Sequence, residues 1–381
     1  MSKYRNRAPG PTEVPERVLQ AMGRQVIHHR TPEFEAVFGE VRQGTKRLLG
    51  TTAEPIFLSC SGTGGMEAAV VNLLSPGDKV IVVQAGEFGK RWADMLLTFG
   101  MDVVLLPEPY GETVQPGILA AALIDNKNAK AVFCQHSETS TGVLHDIKSY
   151  AEITRATDAL LVVDAVSSVG CAELLMDDWG IDVVVAGGQK GLMLPPGLGI
   201  VAFSERAWIL SATSRLPKFY FDLSAELALQ RKNQVRFTPA VSLIVGLNEA
   251  LGMLFSEGWP GKVLQRHERL ARATRAAVKA LGLELFAKSN WSPAITSVVA
   301  PNAKGEAIVA GFAKYGMTIA GGQGPMKGNV FRLGHMGYTD EHDVIAMLGI
   351  LERVLNDTRY HFRPGVAVAA AQWVFTEEQN T

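Results

Sequence analysis

Between Ile56 and Phe203, short runs of aliphatic and β-branched residues recur with little polar interruption. They are Ile56–Ser59, Lys79–Gln84, Met101–Pro107, Ala129–Gln135, Ala159–Val166, Asp182–Ala186 and Leu198–Phe203. Continuous apolar runs of this length belong to strands covered on both faces, whereas a half-exposed strand alternates. Amphipathic stretches lie between them, among them Gly65–Leu74, Lys90–Phe99, Pro116–Ile124 and Ile147–Thr157. Strand and helix in alternation predict βαβ units, and so an α/β fold with a mostly parallel seven-stranded sheet.

Beyond Thr238-Pro239 the pattern changes. Ala240–Phe255 and Lys262–Leu281 read as two long helices, interrupted at Gly258-Trp259-Pro260. Strand-like pieces follow at Thr296–Val299 and Val330–Leu333, with helices at Ala303–Tyr315 and Glu341–Asn356. Losing the strict alternation predicts a smaller C-terminal α+β domain, spanning 241–381 after a large domain at 16–240. A chain of 381 residues exceeds one ordinary core, which favours two domains independently. The Ala- and Val-rich stretch after Arg363 fits no element.

Charge narrows the functional classes. Against 37 basic residues stand 38 acidic ones, with no long run of either sign, so no nucleic-acid surface is expected. Cys60, Cys134 and Cys171 are scattered in or beside apolar segments without CxxC spacing; neither a disulfide framework nor a metal site is expected. Met-Ser-Lys-Tyr-Arg-Asn-Arg has no apolar core, and no window approaches the ~18 unbroken apolar residues of a membrane helix. Glu-Glu-Gln-Asn-Thr at the other end carries no recognisable address. The cytoplasm is the expected compartment.

Two polar side chains emerge where apolar runs stop. Val183-Val-Val-Ala-Gly-Gly-Gln-Lys190 is a buried strand ending in two glycines and a lysine, and Leu160-Leu-Val-Val-Asp164 ends in a carboxylate. In a parallel sheet both face the crevice at the carboxyl ends of the strands, where open α/β sheets bind ligands. A lysine able to form a Schiff base and an acid able to hold a pyridinium nitrogen are the two groups pyridoxal 5′-phosphate (PLP) requires. Ser59-Cys-Ser61-Gly62-Thr63-Gly64-Gly65 follows a strand and opens a helix, so its free N–H groups suit a phosphate. Neither a GxGxxG nor a Walker spacing is present there. Taken singly, the Ser61 segment is as readily a tight turn, while a cap for Asp164 and a surface charge for Lys190 are the commoner readings. Arg332, within Phe331-Arg-Leu-Gly-His335, has the planar fork that suits a carboxylate or a structural ion pair. His335 reads as a packed, hydrogen-bonded residue.

Taken together, these residues resemble the class V aminotransferases, fold-type I PLP enzymes, and most closely their alanine–glyoxylate and serine–glyoxylate branch. The likeness runs from Pro9-Gly-Pro-Thr-Glu-Val-Pro through Thr139-Ser-Thr-Gly142, Val163-Asp-Ala-Val-Ser-Ser, Gly187-Gly-Gln-Lys and Pro195-Pro-Gly to Arg332-Leu-Gly-His-Met-Gly. It implies that Lys190 carries PLP as a Schiff base, that Asp164 pairs with the pyridine nitrogen, and that Val166 packs under the ring. It further implies Phe88 as the stacking aromatic, with Ser61, Gly62, Thr63 and Gln189 around the phosphate. Thr139 would bond the ring hydroxyl or the substrate carboxylate, and Arg332 would clamp that carboxylate. An N-terminal arm (1–15), with Gly10 in Ala8-Pro-Gly-Pro, would line the substrate pocket. A homodimer would complete each site, Thr238 serving its neighbour. Many relatives carry His where this chain has Thr63, and some carry Tyr where it has Val235.

The expected reaction is ping-pong transfer of an amino group from alanine or serine to glyoxylate or pyruvate. Close rivals are aminotransferases of ureidoglycine, 2-aminoethylphosphonate or pyridoxamine. A cysteine desulfurase is disfavoured because the last cysteine is Cys171, with none in Gly321-Gly-Gln-Gly-Pro-Met-Lys-Gly. A non-catalytic accessory subunit is disfavoured because Lys190 and Asp164 are both retained.

Overall fold

The computed structural model describes residues 4–377, so the terminal segments read for targeting signals lie partly outside the described residues. Seven strands form the central sheet: β1 (Pro55–Leu58), β2 (Lys79–Gln84), β3 (Asp102–Pro107), β4 (Ala131–Gln135), β5 (Leu160–Asp164), β6 (Val183–Gly187) and β7 (Gly199–Phe203). Their order across the sheet is β1-β7-β6-β5-β4-β2-β3. Only β7 runs against its neighbours, pairing antiparallel with both β6 and β1. The sheet is therefore mostly parallel, as the uninterrupted apolar runs require.

Side-chain alternation divides each strand between two cores. Ile81, Val83, Val132, Leu161, Val163 and Val184 face one, Val80, Val82, Phe133, Val162 and Val185 the other. The first face is closed by α1 (Pro32–Leu49), whose Phe34, Phe38, Val41, Leu48 and Leu49 are buried. The second is closed by α2 (Gly62–Leu73) and α3 (Glu87–Thr98), the latter through the fully buried Trp92. Helix α4 (Val241–Glu257) packs on α1 and joins the first core through Ile244, Leu247 and Leu251.

A third core gathers the C-terminal elements. It comprises α5 (Gly261–Ala280), the antiparallel strands β8 (Ile295–Val299), β9 (Ala320–Gly321) and β10 (Val330–Gly334), α6 (Glu341–Asp357) and α7 (Val366–Glu377). The tail that fits no element by sequence is α7: Ala367, Ala371 and Phe375, spaced by four, form its buried stripe against α5. The N-terminal segment crosses this third unit, with Arg5–Asn6 pairing in parallel with Met317–Thr318 and Gly334 N–H donating to the Arg7 carbonyl at 2.8 Å.

Candidate active site

One cavity of about 230 Å³ lies at the carboxyl ends of the parallel strands. It is lined by Gly10, Ser61, Gly62, Thr63, Phe88, Thr139, Asp164, Val166, Gln189 and Lys190. They come from the ends of β1, β2, β4, β5 and β6, or the segments after them, and from the arm, so the fold brings Gly10 together with Lys190, 180 positions away. Arg332, on β10, is not among the lining residues but donates to the carbonyl of Thr139, which is. Thr238 does not join it: it lies in a separate outer cleft with Phe57, Leu58, Tyr220 and Phe237.

Lys190 follows β6 and is buried, its Nζ donating to the Pro9 carbonyl at 2.5 Å. Burial, then the Arg332 charge, pushes its amine down from 10.5 to about 8, while Asp164 opposes the shift. Gly10 must be glycine for two reasons. Its φ is +108°, and a Cβ there would stand 2.5 Å from the Cδ and Cε of Lys190. The arm is held by Thr12, whose N–H donates to the Gln189 carbonyl (3.1 Å) and whose hydroxyl donates to the Lys190 carbonyl (3.0 Å). It is also anchored by the buried Arg7, which pairs with Glu13 and Asp343 and donates to Thr339 Oγ1.

Asp164 ends β5. Its Oδ1 accepts from Val166 N–H at 2.9 Å, and burial raises its carboxyl, opposed by that bond and by Arg91 and Lys190. Ser61 stands at the N-cap of α2 without a side-chain capping bond, leaving its hydroxyl and the first-turn amides open to an anion. The α2 terminus approaches Val166 so closely that a Cβ on Gly62 would meet its Cγ2 at 2.6 Å. Gln189 Oε1 is buried with no partner among the described residues. Thr139 donates to Ser167 Oγ at 2.6 Å, and its carbonyl accepts from Arg332 Nη1 at 3.1 Å.

Arg332 is buried and hydrogen-bonds only neutral acceptors: the Gly321 and Thr139 carbonyls and Gln323 Oε1. No carboxylate makes a direct ion pair with it among the described residues; burial pushes it down to about 10, opposed by the charge of Glu138. His335 donates through Nδ1 to the Pro293 carbonyl and accepts at Nε2 from Thr296, both at 2.9 Å, which leaves it no free nitrogen.

The sequence reading missed two charged groups at this site. Arg91, on α3, lines the cavity, donates to Thr63 Oγ1 at 3.1 Å and lies 4.6 Å over the Phe88 ring. Its place one turn after Phe88 was the available signal. Glu138 is fully buried and accepts from the N–H groups of Phe88 (3.1 Å), Gly89 (3.0 Å) and Ser140 (3.1 Å), tying the start of α3 to the Thr139 loop. Burial raises its carboxyl, opposed by these bonds.

A buried amine with one backbone partner, a carboxylate across from it, an open helix N-terminus and an orphaned Gln189 oxygen together fit PLP. Comparison with known proteins agrees. Residues 6–344 match the aminotransferase class-V family. The L-aspartate–glyoxylate aminotransferase of Paracoccus denitrificans is 39% identical over 376 residues, covering 96% of this chain and 94% of that one. A protein of Synechococcus sp. named soluble hydrogenase, small subunit, is 42% identical over 374 residues, 97% of each chain. The solved pyridoxamine–pyruvate aminotransferase of Mesorhizobium loti superposes with a TM-score of 0.93 at 30% identity, covering 99% of this chain and 98% of that one. The chain belongs to the class V aminotransferases, PLP-dependent enzymes of fold type I. Among the described residues no helix is long and apolar enough to cross a membrane, and no group of three or more His, Cys, Asp or Glu is placed to hold a metal.

Proposed function

We propose that the enzyme transfers the amino group of a small amino acid, alanine or serine, to a small 2-oxo acid, glyoxylate or pyruvate. The observation that carries this reading is Arg332, a buried guanidinium that donates only to neutral acceptors, one of them the carbonyl of Thr139 on the wall of the cavity beside Lys190. A buried guanidinium with no direct ion pair among the described residues, only the charge of Glu138 acting on it, has room for an anionic ligand, and its fork suits a carboxylate. Relatives named for glyoxylate as acceptor, and for serine or aspartate as donor, support the acceptor more firmly than the donor.

PLP, when bound, supplies the electron sink for bonds broken at the substrate α-carbon. The chain's own groups do the rest. Lys190 holds the cofactor through its amine; once displaced by substrate, the same amine, poised near neutrality by burial, moves the α-proton. Asp164 keeps the ring nitrogen protonated by its charge. Phe88 and Val166 hold the ring faces, and Ser61, Gly62, Thr63 and Gln189 hold the phosphate. Arg332 fixes the substrate carboxylate with Thr139 beside it, and Gly10 closes the pocket over Lys190.

This reading includes a homodimer in which Thr238 serves the partner's phosphate site, and a cytoplasmic enzyme. It also includes an arm, a large domain and a small domain; the packing of α4 into the first core supports a boundary nearer Gly258-Trp259-Pro260 than residue 240.

The test measures glycine formed from glyoxylate with alanine, serine, aspartate and phenylalanine as donors, and alanine formed from pyruvate with the last three. Alanine or serine should give the highest kcat/KM, and Arg332→Gln should lower it for every donor. A preference for phenylalanine would overturn the assignment to a small donor. A second reading, a non-catalytic subunit, is suggested by the name of the Synechococcus relative. It requires that no donor be consumed at all.

A further inference from the structure

Among residues lining the cavity only Lys190, Asp164 and Arg91 carry charge. In the reading above, Lys190 and Asp164 are committed to the cofactor's aldehyde carbon and ring nitrogen. The phosphate group, with a charge of about −1.5 to −2 at neutral pH, would then face neutral donors and one helix N-terminus worth about half a charge. That leaves Arg91 as the one cation lining the cavity without an assigned task.

Arg91 is not spent elsewhere. No carboxylate pairs with it among the described residues; its hydrogen bond runs to Thr63 Oγ1 at 3.1 Å. The direction of this bond matters. Because the hydroxyl accepts from the guanidinium, its own proton remains free to be donated, and the adjacent positive charge makes it a stronger donor. Thr63 lies in the first turn of α2, next to Gly62, where the open amides converge. The Arg91 charge also reaches the centre of the site, bearing on both Asp164 and Lys190.

We propose that Arg91 is a phosphate-positioning residue, acting with Thr63 to supply the positive charge of the PLP phosphate cradle. It would recognise the phosphate monoester specifically, not the pyridine ring or the amino-acid substrate. The inference rests on PLP binding at Lys190.

The test strips the full-length protein of cofactor and titrates it separately with PLP and with pyridoxal, which lacks the phosphate. Arg91→Gln should weaken PLP by about tenfold or more, the range of a lost charge-assisted hydrogen bond, and leave pyridoxal binding unchanged. Arg91→Lys should fall between Gln and wild type. Inorganic phosphate competing with PLP gives an independent readout, and its inhibition constant should rise by a similar factor in Arg91→Gln. Unchanged PLP affinity in Arg91→Gln would overturn the proposal. So would an equal loss for PLP and pyridoxal, which would assign Arg91 to supporting the Phe88 ring instead. Wild-type protein that bound no PLP would refute the cofactor assignment at Lys190 itself, a separate failure.

Discussion

Replacing Arg332 by Gln should change the chemistry of Lys190 even when no substrate is present. In the cofactor-free protein burial first, and then the Arg332 charge, push the Lys190 amine down to about 8. At pH 7 an amine of pKa about 8 is roughly 9% neutral, against roughly 0.03% for an ordinary lysine, on the order of a 300-fold gain in nucleophile. The depressed value also makes the charged lysine destabilising. Across the window from about 8 to 10.5 the unfolded chain binds more protons than the folded one, so stability should rise with pH there, by about 3 kcal/mol in all. Removing Arg332 leaves the burial and deletes the like charge. The midpoint should therefore move up, to between about 8 and 10.5, and the neutral fraction at pH 7 should fall. The assay is the rate at which cofactor-free protein captures PLP from pH 6.5 to 10, expressed as the ratio of wild type to Arg332→Gln so that the titration of PLP itself cancels. The ratio should be largest below pH 8 and approach one at high pH. A flat ratio, or a midpoint that moved down, would refute the electrostatic coupling of the two residues.

Three further substitutions probe the supports of the site. Gly10→Ala places a methyl 2.5 Å from the Lys190 side chain at a φ of +108°, so the folded protein should capture PLP far more slowly than wild type; unchanged capture would mean the arm does not cover Lys190 in solution. Glu138→Gln keeps the shape but turns one acceptor of N–H groups into a donor, so urea denaturation should show a loss of about 3 kcal/mol, whereas a loss below about 1 kcal/mol would contradict the tie between α3 and the Thr139 loop. Asp164→Asn preserves the acceptor of the Val166 bond while removing the charge, so PLP should still bind while kcat falls on the order of 100-fold; near-normal kcat would remove Asp164 from the ring-nitrogen role.

Much of this architecture was legible because both of its periodicities are strong. Strand β2 falls at Lys79–Gln84 as its apolar run predicts, and β5 and β6 stop where Asp164 and the Gly187-Gly-Gln-Lys turn interrupt theirs. Helix α1 went unread although its signals were present: Thr31 capping Phe34 N–H, Pro32 at the first position and Gly50 at φ +59°. Helix α7 was illegible for the opposite reason, since Ala367 and Ala371 of its buried stripe are the same residue type as Ala369 and Ala370 outside it. Lys190, Asp164 and the Ser61 turn stood out because polar groups broke apolar runs. Arg91 did not, because an arginine on an amphipathic helix is indistinguishable from a solvated charge until α3 is laid against α2. Glu138 was hidden in the same way, as a carboxylate in a polar loop whose partners come from an element 50 residues earlier.

The most direct test of the central claim is the visible absorption spectrum of the purified full-length protein, titrated first with L-alanine or L-serine and then with glyoxylate. The cofactor's visible band should be present, be bleached by the amino acid and return with the oxo acid, and it should be missing from Lys190→Ala. A protein that took up no PLP, or whose band neither amino acid altered and no oxo acid restored, would contradict the account.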